Sequence, residues 1–299
     1  MAQDKFLSNI KDPNSVVMAI DKATRFPEIL EVTLAKYKDA IEDFSKLVRE
    51  VATSGELLER IRSSEFTGKK RMALLKMFRR AVAPVIDTEM AKKVSSVPTK
   101  SLIDNYGATF KPIELLKKQF AALSPEGKGA LAALIGEYDT RGQIGYSLTG
   151  LFFDWFETEF ENLMTIEGPR GAGRDIELST VLRGFVGEYP CDFVIRKAKT
   201  REVLAVGFAR YDATRGGAQS DDRTGGNAYK VAKAREYCEK SGDQIRIVFL
   251  ADGPGLAHGD TWRAAVDLDG EWEGNVRVTT MKLADQRVTA DWLMRVAST

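Results

Sequence analysis

The sequence predicts an α/β domain with a mixed sheet core flanked by helices, preceded by an all-helical N-terminal region. Three observations predict it. Apolar residues recur at helical spacing up to about residue 165, short runs rich in branched residues follow Gly168, and from there the order reads helix, strand, strand, helix, strand. The helical domain is expected over residues 1–125 and the α/β domain over residues 126–299.

In the first region, Ile29, Val32, Leu34, Tyr37, Ile41, Phe44 and Leu47 mark a long amphipathic helix. Ser54-Gly55-Glu56 separates it from a helix through Leu58 and Ile61. The run Lys69 to Arg80 places Lys69, Lys76 and Arg80 opposite Leu74, Leu75 and Phe78. A solvated helix face is the first expectation there, and contact with a nucleic-acid backbone the second. Residues 94–112 are polar and form a candidate linker. Ser124-Pro125 opens a further helix with a capping residue and a first-turn proline. After Arg141-Gly142, the stripe Leu148, Leu151, Phe152, Trp155, Phe156, Phe160 and Leu163 predicts a strongly packed helix.

Beyond Gly168 a short helix is expected over Asp175 to Phe185. Strands are expected over Cys191 to Ile195 and Val203 to Phe208, joined as a hairpin through the polar turn Arg196 to Arg201. A long loop, Arg210 to Asn227, leads to a helix from about Ala228 to Glu239. Ile245 to Leu250 and Val276 to Met281 read as strands, Asp252-Gly253-Pro254-Gly255 as a turn, and Thr289 to Leu293 as a closing helix.

Composition narrows the chemistry. No apolar run reaches membrane-spanning length and the first residues lack a signal peptide's apolar segment, so a cytoplasmic protein is expected. Cys191 and Cys238 form neither a zinc spacing nor a disulfide framework. With His258 the only histidine, multi-histidine metal sites are excluded, and catalysis would fall to carboxylates, lysine or a carboxylate-held metal. Net charge is +1, which neither advertises nor excludes a polyanion, because binding depends on where charge lies.

Two stretches carry the functional signal. Asp192 opens a strand whose neighbour ends Gly207-Phe208-Ala209-Arg210-Tyr211-Asp212, an arrangement in which oxygen ligands could hold a divalent cation. The loop that follows gathers arginines, aspartates and amides among glycines. Arg215 and Arg223 suit guanine, Gln219 or Asn227 suits adenine, and Asp221 or Asp222 suits cytosine. An internally salt-bridged loop is the competing expectation. Gly168 to Gly173 has the glycine separation of a phosphate loop, but Arg174 and Asp175 stand where lysine and a hydroxyl residue belong, so a nucleotide-binding loop is not expected.

Pro190-Cys191-Asp192, the hairpin and the element order together resemble the core of PD-(D/E)XK nucleases. Residues Arg141 to Thr149, the loop Arg210 to Asn227, and Phe249 to Gly255 are similar to type II restriction endonucleases, and the resemblance covers Arg141 to Leu293. It implies a restriction-endonuclease-like fold, Mg²⁺ and double-stranded DNA. It also implies, by analogy, a homodimer that brings two active sites to one symmetric site. The implied second half-motif, an acid and a lysine two residues apart, is missing: Gly207-Phe208-Ala209 stands there. Asp192 carries over as catalytic and metal-binding. Asp212 is the first-ranked second acid and metal ligand, Lys230 the migrated lysine, and Asp222 or Glu177 further substitutes. Arg210, Arg215, Gln219, Asp222, Arg223 and Asn227 are the expected recognition residues. The expected activity is site-specific hydrolysis of DNA. The rivals are a non-catalytic DNA-binding or regulatory module on a degenerate nuclease fold, and a nucleotide hydrolase.

Overall fold

The computed structural model describes residues 5–22, 24–171, 173–214 and 219–295, the side chains of 138–144 and 219–224 excepted. The chain divides into two compact units: Ala23–Arg141, and Gly142–Thr299 together with Met1–Lys22. The mixed α/β class with a helical N-terminal region is therefore as the sequence predicts, but the boundaries are not. The division falls at residue 141 rather than 125, and the first residues belong with the α/β unit. Backbone pairing with distant side chains explains this. The Leu7 N–H donates to Asp269 Oδ2 (3.1 Å), Met18 N–H to Asp252 Oδ1 (2.5 Å) and Ile20 N–H to the Tyr211 hydroxyl (2.8 Å).

The helical unit comprises α1 (Glu28–Glu50), α2 (Ser54–Arg62), α3 (Gly68–Ala81), α4 (Thr88–Ala91), α5 (Thr99–Tyr106), α6 (Ile113–Ala121) and the first part of α7 (Pro125–Glu159). Tyr37, Ile41, Phe44, Leu47 and Val48 form the buried stripe of α1 and meet Leu57, Leu58, Leu74 and Phe78. At the start of α2 the Glu56 N–H donates to Thr53 Oγ1 while Ala52 N–H donates to Glu56 Oε2, a reciprocal cap. The expected linker is instead part of this core. The buried Arg62 guanidinium donates to Ala91 O, Val97 O and Thr99 Oγ1, and α5 buries Leu102. On α3, Lys70 pairs with Asp43 and Arg80 with Glu137, so that basic face is partly satisfied within the unit.

The α/β unit carries β1 (Met164–Glu167), β2 (Ile176–Glu177), β3 (Pro190–Cys191), β4 (Phe193–Lys197), β5 (Val203–Tyr211), β6 (Arg246–Asp252) and β7 (Val276–Thr279). Five strands form one sheet in the order β1-β4-β5-β6-β7, and β2 and β3 form a separate antiparallel pair. β1, β4 and β5 are antiparallel neighbours, whereas β5, β6 and β7 run parallel. The parallel connections are made by α8 (Gln219–Ser241) and by α9 (Gly259–Leu268) with the single turn α10 (Glu271–Gly274), in which Trp272 and Glu273 have positive φ. The chain closes with α11 (Ala284–Arg287) and α12 (Ala290–Met294).

Strand alternation separates two cores. Val206, Phe208, Ile247, Phe249 and Val278 pack with Val231 and Ala234 of α8 and Trp262 of α9. Phe193, Ile195, Val248 and Leu250 pack with Leu148, Phe152 and Phe156 of α7 and Trp292 of α12.

Three expectations are corrected here. The helix over Asp175 to Phe185 is absent: β2 and a 3₁₀ turn, Leu178–Thr180, replace it. Leu178, Leu182 and Phe185 are spaced as on a helix and are buried, but Gly184 and Gly187 have positive φ and turn the chain. The long loop is shorter than expected. β5 runs to Tyr211 and α8 begins at Gln219, which places Gln219, Asp222, Arg223 and Asn227 on helical backbone. Each of Gly225 and Gly226 costs about 1 kcal/mol relative to alanine in a helix, and the packed half of α8 carries the helix through them. Finally, β1 and α9 have no counterpart in the sequence-based expectation.

Candidate active site

Asp192 is the single residue between β3 and β4, where the chain leaves the small sheet and enters the large one. Its N–H donates to Gly207 O (2.9 Å) and its Oδ2 accepts from the Ala209 N–H (2.8 Å), which fixes the carboxylate against β5. Gly168 permits this fit, because a Cβ there would lie 2.3 Å from Asp192 O. The glycine-rich segment thus serves close packing beside Asp192. Arg170, a candidate phosphate contact, is engaged by Asp154 and Glu157.

The missing half-motif has a steric cause. Phe193 lies opposite Gly207 in the β4–β5 register, and a Cβ at Gly207 would come within 1.9 Å of the Phe193 ring. An acid cannot stand there unless Phe193 moves. Ala209 packs toward the α7 core, so a lysine there would point away from α8. Phe208, between them, faces α8, and the Lys230 ammonium lies 3.7 Å from its ring centroid. Asp192, Phe208, Ala209 and Lys230 line one cavity. Lys230 thus comes from the helix rather than the strand. The Tyr189 hydroxyl donates to Lys230 O and ties that turn of α8 to the segment before Asp192.

A second carboxylate emerges that sequence reasoning missed. In the β2–β3 pair Ile176 lies opposite Cys191, and Asp175 and Asp192 are the residues that flank this pair at one end. Electrostatics agree. Burial raises the Asp192 carboxyl above its ordinary range, the Ala209 N–H opposes this, the Asp175 charge adds to it, and Lys230 opposes it. Burial lowers the Lys230 ammonium, against the pull of Asp192, Cys191 and Asp175. Burial also pushes the Cys191 thiol up to about 12, with Asp192 and Asp175 adding, so this cysteine is not a nucleophile at neutral pH. The available signal was the short span between the glycine loop and Ile176, but helical spacing of the following leucines concealed it.

Of the other expected residues, Asp212, Arg210 and Asn227 line the same cavity. Asp212 is four residues beyond Phe208, about 13 Å along β5 at the usual strand rise, too far for one ion to be shared with Asp192. It is buried and accepts from Arg210 Nε (2.8 Å), while its carbonyl accepts from Gly255 N–H. Its position is that of a structural acid supporting the 252–255 turn. Glu177 lies on the Asp175 side of β2, but its Oε2 accepts from Tyr189 N–H (2.9 Å) and closes the β2–β3 turn. Asn227 lines the cavity and Arg210 sits at its rim. The side chains of Gln219, Asp222 and Arg223, and the whole of Arg215, lie outside the described residues.

Asp192, with the Asp175 charge acting on it, suits a hard divalent cation, since Mg²⁺ commonly takes one or two protein carboxylates and completes its shell with water and phosphate oxygens. Among the described residues no group of three acids, histidines or cysteines gathers, so substrate and solvent would supply the remaining ligands. Among the described residues no helix is long and apolar enough to cross a membrane. Neither protein-family models, nor curated proteins, nor solved structures give a match to this chain, and the geometry around Asp192 alone carries the functional reading.

Proposed function

We propose that the protein is a Mg²⁺-dependent, site-specific endonuclease of double-stranded DNA. The observation that carries this reading is the placement of Asp192 and Lys230 along one cavity of a mixed αβββαβ core, with Asp175 in electrostatic reach of both. Asp192 and Asp175 hold the cation, and the chemistry Mg²⁺ supplies when bound is polarisation of the phosphodiester and a more acidic attacking water. Asp192 is held in place by Ala209 N–H and so presents its free oxygen in a fixed direction. Lys230 sets its ammonium beside the scissile phosphate, stabilises the charge that builds there, and orients the water. The half-buried site keeps these charges poorly screened. Asn227 of α8 and Arg210 of β5 line the same cavity and carry recognition of base edges. A two-fold dimer supplies the second active site for the second strand.

The test is incubation of purified protein with phage and plasmid DNA and Mg²⁺. Discrete fragments are expected, with cutting reduced at least about 100-fold in Asp192→Asn and Lys230→Met, and strongly reduced in Asp175→Asn. Cutting that persists in Asp192→Asn would overturn the assignment. Tight DNA binding with no cutting under any divalent cation would instead make this a binding module on a nuclease fold.

A further inference from the structure

The cavity that begins at Asp192 and Lys230 continues well beyond what phosphodiester chemistry needs. It occupies about 400 Å³ between the sheet and the helices α8 and α9. The strand order β4-β5-β6-β7 places Asp192 at one end and Val278 at the other, about three strand spacings away. Its walls away from Asp192 are mainly apolar: Phe249, Leu256, Ala264 and Ala265. Protein interiors leave few voids larger than a water molecule, and a space of this size falls in the range of small-molecule sites.

We propose that this cavity is a nucleobase pocket, which receives the base of a nucleotide turned out of the DNA duplex while its phosphate remains at Asp192 and Lys230. The inference rests on the nuclease reading above and adds a ligand to it. Phe208 and Phe249 make an aromatic floor, with rings inclined by 24° and centroids 5.3 Å apart. The Lys230 ammonium covers Phe208, at the Asp192 end. The Phe249 end is left for a planar ring, and the cation stays with the phosphate. Asn227 and Thr261 are among the few neutral hydrogen-bonding side chains in the lining and suit the polar edge of a base. An aliphatic ligand would leave these groups and the charged side chains of the lining, Asp267 and Glu271 among them, unmatched. Enzymes that extrude a base stack it between aromatic or apolar side chains and read its edge by hydrogen bonds, and these walls supply both.

The test uses the full chain with two variants that fill the pocket away from Asp192, Ala264→Phe and Thr261→Phe. Their unliganded thermal unfolding and circular dichroism must match the parent. In the first arm the four deoxynucleoside monophosphates are added at millimolar concentration. At least one is expected to raise the parent's Tm by a few degrees and to leave both variants unmoved. In the second arm, duplexes spanning the cleaved site carry 2-aminopurine at successive positions, with Ca²⁺ replacing Mg²⁺. A rise in fluorescence is expected at one position with the parent and at none with the variants, whose cleavage rate falls at least tenfold. Cleavage at the parent rate by both folded variants, with no fluorescence rise, overturns the pocket and leaves the nuclease reading intact. A nucleotide-induced Tm shift in a protein that cuts no DNA overturns the extruded-base proposal in favour of a free-nucleotide site.

Discussion

Asp192 is a carboxylate kept where water would keep it better. Burial raises its pKa in the folded chain, and the Asp175 charge adds to that effect. The folded protein therefore binds a proton there more readily than the unfolded chain does. Stability falls as pH rises from the ordinary carboxylate range through the raised value, and Asp192→Asn removes that loss. The variant is expected to melt at or above the parent's Tm at pH 7, with the difference vanishing near pH 3, while DNA cutting is lost. A lower Tm for the variant at pH 7 would mean that the contacts of the ionised carboxylate outweigh its burial. Lys230 has the opposite sign: its ammonium is lowered by burial, so folding weakens its hold on the proton. Burial disfavours both the ionised Asp192 and the protonated Lys230, and the charge of each favours the charged form of the other. Gly207 shows the same scale from the other side, since one ring, Phe193, decides that no acid can stand on β5.

At the scale of elements, the most consequential joint is the end of β6. Asp252 is buried, and its carboxylate accepts from the N–H groups of Met18, Gly253 and Met281. One side chain thereby joins the N-terminal segment, the 252–255 turn and the segment after β7. Gly253 and Gly255 bring that turn against the backbone of Asp212 and Thr214, at distances no Cβ would tolerate. Asp252→Ala strands three backbone donors and is expected to cost about 3 kcal/mol or more, read from urea unfolding at constant m-value. A cost below about 1 kcal/mol would show that water replaces the carboxylate without penalty. The β4–β5 hairpin and β6 were legible because branched, apolar runs bounded by polar turns are the strongest strand signal. The two-residue strands β2 and β3 carry no such periodicity. Their pairing brings Asp175 near Asp192 through two short strands that no local pattern of the sequence signals. Asp252-Gly253-Pro254-Gly255 reads as a turn and is one. That its aspartate is a buried clamp depends on partners 234 and 29 residues away, which no local pattern encodes.

At the scale of the molecule, two units with separate cores share one chain and one long helix. The helical unit buries Ile41, Phe44, Leu58, Leu74 and Phe78 among themselves. A fragment spanning residues 24–141 is therefore expected to unfold cooperatively by circular dichroism, whereas a chain lacking its first 22 residues should lose its α/β transition or shift it downward by many degrees. A non-cooperative melt of the fragment would show that its core is completed from outside. The sequence announces the two classes of structure through a change of periodicity. It does not announce that the α/β unit is discontinuous, because Leu7 packs into a core built from distant residues and the hydrogen bonds beside it are made by single backbone groups.

That discontinuity has a bearing on how the protein is made. Residues 5–20 leave the ribosome well before their partners Tyr211, Asp252, Asp269 and Thr280, which follow 191 to 264 residues later. At ordinary elongation rates the leading segment waits on the order of tens of seconds while the helical unit folds behind it. The strand-end clamp closes only when β7 has emerged. The α/β unit is thereby fastened at this end only after residues far apart in the sequence have all been synthesised.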